Sequence, residues 1–384
     1  MGVCGQHLFM MSGKLSPIIK WAGGKEKELH YILNYAPLQY RDYYEPFVGG
    51  GSVYMAAEAN HYFINDLSSE LISLYRYIQT QDKIFFNLVE EIDNSWVSAT
   101  HYYLAAQDFF QRLYIKYRTN SIDSSVLKQE IGSYCEETKD GINKILRNVI
   151  GSNNVLYEEL LSNLYRKMCR MKKIEQQKHE LPPKDLYENI ETAIKSAVYM
   201  SLRHQYNDKS NTVSKQLQCA LFFFIRNYAY SGMFRYNQKG DFNVPYGGIA
   251  YNSKQLKNKI DYYQEEAVIS HLQKTNISEL DFENFFNMYE PKKEDFMFLD
   301  PPYDSEFSTY AQNEFLRADH ERLANYLINR LECKWMLVIK ATPFISSLYS
   351  NKRGINIMSF DKNYQVSFMN RNNKSVTHLL IKNY

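Results

Sequence analysis

Residues 42–66, DYYEPFVGGGSVYMAAEANHYFIND, constrain the fold more than any other stretch. Asp42–Phe47 reads as a short strand, Val48–Gly51 as a tight turn, Ser52–Ala59 as a helix and His61–Asp66 as a second strand. Leu67–Ile78 follows with apolar residues at helical spacing. Strands joined by a crossover run parallel, and a parallel sheet binds ligands beyond the carboxyl ends of its strands. The same grammar returns near the other end of the chain. Asp295–Asp300 reads as a strand, ADHERLANYLINRL as a helix and Lys334–Lys340 as a strand. The closing YQVSFMNRNNKSVTHLLIKNY alternates as an antiparallel pair around NRNN. Between residues 80 and 220 the pattern is helical, with VYMSLRHQY and YEELLSNLYRKM as helices and RTNSIDSS, GSNN and HELPPKD as loops. One sheet therefore draws on both ends of the chain, with the middle inserted into it.

A chain of 384 residues has room for two or three domains. Its net charge of +2 does not by itself argue for a polyanionic partner, so basic residues would have to gather on one face. Five scattered cysteines, none in a C-x-x-C pair, exclude a disulfide scaffold or structural zinc site and suit a reducing compartment. The nine histidines form no ligand set, so no metal is expected. No apolar run is long enough to span a membrane, and the first residues lack a secretory pattern. The reading is a cytoplasmic protein with a loose tail over residues 1–17.

Gly49, Gly50 and Gly51 between strand and helix permit close backbone approach, and a helix start offers unpaired N–H groups. Asp66, at the end of the second strand, stands where a dinucleotide fold places the acid that holds ribose hydroxyls, and it can also cap the next helix. A nucleoside-bearing cofactor follows, with NAD and S-adenosylmethionine both open at this point. The absent G-x-G-x-x-G counts against NAD. Upstream, IIKWAGGKEKEL places Lys20, Trp21 and Lys25 around Gly23 and Gly24, where a lysine can meet a carboxylate and an indole can cover an apolar ring.

FLDPPYDSEF sets a carboxylate, two prolines and an aromatic ring at the end of an apolar strand. Neither proline can donate to a ladder, so the strand stops there and the backbone beyond it is stiff. Asp300 and the carbonyl of Pro301 offer two acceptors beside the flat face of Tyr303, as an exocyclic amino group on a planar base requires. Adenine N6 is a poor nucleophile because its lone pair is delocalised. Accepting both its hydrogens would orient it for attack on a methyl group, so the contribution is alignment and electrostatics.

KWAGGK, EPFVGGGSV, IND and DPPY, in that order, resemble the Dam-like, D12-class DNA adenine N6-methyltransferases, and LLIKNY resembles that group's closing segment. The resemblance covers most of residues 18–79 and 219–384. It implies a Rossmann-like α/β fold with a mostly parallel seven-stranded sheet ending in an antiparallel strand, plus an inserted, mainly helical DNA-recognition domain carrying a β-hairpin. The implied division is 18–79 with 249–384 for the catalytic domain and 80–248 for target recognition. S-adenosylmethionine would lie against Trp21, Ala22, Gly23, Lys25, Glu45, Pro46, Phe47, Gly49, Gly51 and Asp66. Asp300, Pro301, Pro302 and Tyr303 would hold a target adenine turned out of the duplex. A C5-cytosine enzyme needs a cysteine beside a proline, and none of the five has one.

FIRNYAYSGMFRYNQKGDFNVPYGG (Phe224–Gly248) combines aromatics, cations and the hairpin turn NQKGD, and a two-stranded ribbon suits the major groove. Arg235 can bond bidentately to guanine. By the resemblance, Ser231, Met233 and Arg235 face DNA, and Lys20, Arg226, Tyr230, Asn237, Lys239 and Tyr246 complete the expected contacts. YSGM and Gly248 depart from the pattern of enzymes that read GATC, which leaves the target open. Within Asn163–His179, Arg166, Lys167, Arg170, Lys172 and Lys173 are closely spaced and could follow phosphates. The expected partners are duplex DNA with a short adenine-containing target and a cognate restriction endonuclease, the protein itself being a monomer. Methylation of structured RNA and a catalytically silent DNA-binding module are the alternatives.

Overall fold

The computed structural model describes residues 14–151, 154–210, 213–303, 315–363 and 375–384. Most of the expected tail, the residues after Tyr303 in FLDPPYDSEF and the NRNN turn lie outside them. The chain forms two compact units, one taking it up to Gln79 and again from Glu265, the other comprising Thr80–Gln264.

In the first unit the chain passes through α1 (Leu29–Tyr35), β1 (Tyr43–Glu45), β2 (Tyr62–Asn65) and α2 (Ser69–Gln79). It then forms the second unit with α3 (Lys83–Arg118), α4 (Ser124–Glu137), α5 (Lys139–Ile150), α6 (Val155–Gln177), α7 (Pro183–Tyr206), α8 (Lys215–Tyr228) and α9 (Lys257–Tyr263). The first unit is completed by α10 (Glu266–Gln273), β3 (Thr275–Ser278), α11 (Phe282–Tyr289), β4 (Phe296–Leu299), α12 (Arg317–Asn329), β5 (Lys334–Lys340), α13 (Pro343–Tyr349), β6 (Asn356–Asn363) and β7 (Ser375–Lys382).

Seven strands form one sheet in the order β3-β2-β1-β4-β5-β7-β6, parallel except where β7 pairs with β5 and β6. This is the Rossmann-like methyltransferase sheet that the resemblance implies. Phe296–Leu299 and Trp335–Ile339 are buried throughout, as strands covered on both faces require. Tyr43 lies opposite Tyr62 on one side and Phe296 on the other, so β1 joins the amino-terminal strands to those near the end of the chain. At the amino ends of these strands Arg41 bonds Asp42 at 3.0 Å and Asp295 at 3.1 Å, and His61 meets Asp42 at 3.1 Å. The opposite ends are left for a site.

The stretch Ser52–Ala59 is not a helix. Only Tyr54–Ala56 makes a single 3-10 turn, and Ala57 is extended. Val53 through Ala57 are all buried. The Tyr54 hydroxyl bonds the Thr275 hydroxyl on β3 at 2.6 Å, and the Tyr62 hydroxyl donates to the Ala57 carbonyl at 3.1 Å. Tertiary contacts, not helix propensity, set this backbone.

In the second unit α8 is buried continuously from Cys219 to Tyr228 and forms the unit's core, with Trp96 of α3 against Phe224, Tyr228 and Tyr246. Helix starts are capped where the sequence supplies an acceptor: Asp82 takes the Phe85 N–H at 2.8 Å, and Asp123 takes those of Ser125 and Val126. The unit runs past Gly248 to Gln264, because the chain after the hairpin stays bound to it. Asp93 of α3 accepts from the N–H groups of Leu256 at 2.7 Å and Lys257 at 3.2 Å, and α9 packs on α3.

Candidate active site

The three glycines after β1 are each required by the protein's own packing. A Cβ on Gly49 would stand 2.8 Å from Trp21 Cδ1, one on Gly50 2.1 Å from the Ile19 carbonyl oxygen, and one on Gly51 2.4 Å from the Tyr75 hydroxyl. Gly49 and Gly51 also take positive φ, +49° and +78°. The turn is thereby pressed between the Ile18–Trp21 segment and α2. Asp66, one residue beyond β2, accepts from the Gly49 N–H at 3.1 Å and the Ser68 N–H at 2.9 Å, one bond on each oxygen. It thus ties the turn and also serves the start of α2. Burial pushes its carboxyl up, and these N–H bonds oppose the shift.

Asn65, which sequence reading passed over, ties three strand ends together. Its amide donates to the carbonyls of Pro46 and Leu280 at 3.1 and 2.8 Å, and its oxygen accepts from the Leu280 N–H at 2.8 Å. The expected cofactor residues divide by exposure. Trp21, Ala22, Gly23, Phe47, Gly49 and Asp66 keep surface, whereas Glu45, Pro46 and Gly51 are buried and shape the turn from within. Glu45 accepts from the Tyr43 hydroxyl at 2.6 Å, and burial raises its carboxyl well above the usual range, which favours the neutral acid.

Lys25 belongs to the other end of the site. It is buried, and its ammonium donates to Asp300, to the Tyr303 hydroxyl at 3.1 Å and to the Gly23 carbonyl at 2.9 Å. An ammonium has three donors, so none remains for a cofactor carboxylate in this arrangement. The ion pair holds the Asp300 side chain at the end of β4. Pro301 is buried, Pro302 exposed, and Asp300 and Tyr303 half-buried.

Sequence reading missed His378. Because β7 is antiparallel, its amino-terminal half lies at the carboxyl end of β5, with His378 opposite Lys340. Its Nε2 stands 3.2 Å from the Tyr303 hydroxyl. A histidine directly before the apolar run LLI of the terminal strand was the available signal.

The glycine turn, Asp66 and Asp300 thus lie at the carboxyl ends of adjacent strands, with Tyr303 just beyond and Lys25 bonded to Asp300, an arrangement of acceptors and aromatic surface. A family model for the D12 class of N6 adenine-specific DNA methyltransferases matches residues 21–181 and 157–366. The chain belongs to this family. It is similar to the type II methyltransferase M.CviBI of Paramecium bursaria Chlorella virus NC1A, 32% identical over 52% of the chain and 76% of that relative. Over nearly its whole length it resembles M1.LlaDCHI of Lactococcus lactis, 22% identical over 96% of both chains. It likewise resembles M.MjaIII of Methanocaldococcus jannaschii, 23% identical over 97% of the chain and 100% of the relative. The protein is accordingly an adenine-specific DNA methyltransferase.

In this D12-class enzyme Phe224–Tyr228, expected as part of the hairpin, is the end of α8, and the rest of the segment to Gly248 carries two isolated antiparallel bridges, Ala229 with Tyr246 and Tyr236 with Phe242, rather than a continuous ribbon. A 3-10 turn at Tyr230–Gly232 interrupts the first arm, with Ser231 at φ 55°. Ser231, Arg235, Asn237 and Lys239 are exposed, and Tyr230 and Met233 half-buried. Asn237 closes the turn, its side-chain oxygen accepting from the Lys239 and Asp241 N–H groups, both at 2.9 Å. Two expected DNA contacts turn inward instead. Arg226 is buried with its guanidinium over Phe234, and the buried Tyr246 donates to Asn252 at 2.9 Å. Lys20 is exposed on the first unit.

On α6, Lys172 donates to the Tyr117 carbonyl at 2.6 Å and sits over that tyrosine's ring, while Arg170 and Lys173 are exposed. Among the described residues no cluster of His, Cys, Asp and Glu could hold a metal ion, and no helix is long and apolar enough to cross a membrane.

Proposed function

We propose that the enzyme methylates N6 of one adenine within a short duplex DNA target, with S-adenosylmethionine as donor and the adenine turned out of the helix. The observation that carries this reading is the junction of DPPY, held by Lys25, with the glycine turn tied to Asp66. When bound, S-adenosylmethionine supplies an electrophilic methyl group. Asp66 would hold its ribose hydroxyls, and Trp21, Ala22, Gly23, Phe47 and Gly49 would border the rest.

Asp300 and the Pro301 carbonyl would accept the two amino hydrogens and so align the N6 lone pair. Pro302 stiffens the loop, and Tyr303 stacks on the base, recovering about 1–3 kcal/mol of an unstacking cost of a few kcal/mol. Lys25 keeps Asp300 directed. No strong base is needed, because the N6 proton becomes acidic once the nitrogen carries the methyl group.

On the hairpin, Arg235 would read a guanine edge. Tyr230, Ser231, Met233, Asn237 and Lys239 would flank it, and Lys20 would meet phosphate. The relatives named as type II methyltransferases support a place beside a cognate restriction endonuclease, the enzyme acting as a cytoplasmic monomer. The test is incubation with labelled S-adenosylmethionine and separate pools of duplex DNA, structured RNA and protein, followed by hydrolysis to nucleosides or amino acids. Label in N6-methyladenine from duplex DNA is the expected result. Label only in RNA or protein, or in none of the pools, overturns it.

A further inference from the structure

Tyr303 stands on a loop beyond β4, outside the ladder that holds its neighbours. A ring on a loop presents a defined face only if a second group fixes it. Lys25, from the amino-terminal segment, meets its hydroxyl at 3.1 Å and His378, from the last strand, at 3.2 Å. His378 is fully buried. It is paired with Lys340 on one side and Phe360 on the other, so the sheet itself sets its backbone. Its ring lies between those of Phe360, 5.7 Å away at 30°, and Tyr303, 5.5 Å away at 66°. The imidazole thus restrains the phenol at the hydroxyl and along the ring edge.

From this we infer that His378 is a positioning residue for Tyr303, holding the ring in the plane on which the target base stacks. The inference rests on the proposed function for what Tyr303 does, but the contact can be tested without it. Ring plane and base plane are the same constraint, so loosening the phenol should slow the chemical step and leave the cofactor end, built on Asp66 and the glycine turn, unchanged.

The experiment compares wild type, His378→Leu, His378→Gln, Tyr303→Phe and His378→Leu/Tyr303→Phe. Leucine removes the polar contact, whereas glutamine can place an amide near the Nε2 position. The expected result is a single-turnover methylation rate about 10- to 100-fold lower for His378→Leu, with S-adenosylhomocysteine affinity changed less than about 2-fold. Glutamine should recover the rate to within about 3-fold of wild type, and in the Tyr303→Phe background leucine should cost less than about 3-fold more. Losses that multiply in the double variant, or a cofactor affinity that falls in step with rate, would overturn the inference.

A second readout is independent of activity. With tyrosine labelled at its Cζ carbon, the resonance missing from Tyr303→Phe identifies Tyr303, and it should shift in His378→Leu. An unmoved resonance removes the contact whatever the enzyme methylates. A shifted resonance in a protein inactive on DNA would leave the contact standing and overturn the function proposed above.

Discussion

Replacing Lys25 by methionine keeps most of the stem's volume and removes the charge that faces Asp300. The side chains of Lys25 and Asp300 are 2% and 18% exposed. Breaking a fully buried pair costs about 3–5 kcal/mol, chiefly because the surviving charge is left uncompensated. Water reaches part of Asp300, so about 3 kcal/mol is the better figure for Lys25→Met. Asp300→Asn leaves the cation with the Gly23 carbonyl, the Tyr303 hydroxyl and an amide oxygen, and should cost about 1–2 kcal/mol. The double variant leaves no buried charge and should lie within about 2 kcal/mol of wild type, a coupling of about 2–3 kcal/mol.

The assay is urea unfolding of the four proteins near neutral pH, at low and high salt, with free energies from linear extrapolation. Burial protects the pair from screening, so the coupling should persist at high salt. If the two single costs add to within about 0.5 kcal/mol, the pair is not a coupled buried unit and the reasoning fails. A double variant as stable as wild type should still be inactive in methylation, because stability and alignment are separate demands on Asp300.

Gly50→Ala should destabilise the protein by about 3 kcal/mol or more, since its Cβ would meet a backbone oxygen at 2.1 Å, whereas Gly132→Ala in α4 meets nothing within 4 Å and should be neutral or slightly stabilising in the same urea assay. Burial between Tyr54 and Tyr62 lowers the His271 pKa from the ordinary 6.5 to about 4. Below about pH 6.5 the unfolded chain takes up a proton that the folded one refuses, so stability should fall by about 2–3 kcal/mol as pH drops from 6.5 to 4. His271→Phe should flatten that part of the curve in unfolding measured against pH. Arg235→Ala should relax discrimination at one target position by about 1–3 kcal/mol on a panel of single-base variants, while Lys173→Ala should slow all sequences alike. Lys172 is a poorer comparison, because it already holds the Tyr117 carbonyl.

The sheet was legible where apolar runs coincide with strands. FMFL is buried along its length and KWMLVIK from Trp335 to Ile339, and β2 lies within HYFIND. β3 was not legible, because TNIS is four residues with little apolar character, and its place depends on register with Tyr62–Asn65. The stretch after the glycine turn reads as helix from its Ala and Met content, but complete burial and the Tyr54–Thr275 bond override that preference. At the site, the residue types DPPY and GGG were plain, but their partners were not. Lys25 lies 275 positions from Asp300 and His378 75 from Tyr303, so nothing local signals either contact. On the hairpin, Arg226 and Tyr246 look like surface residues by type, and only the packing of α8 shows them turned inward.

The strand order has a consequence in time. β1 and β2 are synthesised early, yet Tyr43 lacks its central neighbour until Phe296 has been made, and the antiparallel edge waits for the last residues of the chain. Throughout that interval the ribosome completes Thr80–Gln264, a contiguous helical unit rich in local contacts that fold quickly. The nascent sheet must therefore persist as an unfinished two-strand fragment while its later partners are translated. On chains stalled at successive lengths, limited proteolysis should show the helical unit protected before β1 and β2, and the strands protected only once β4 has emerged.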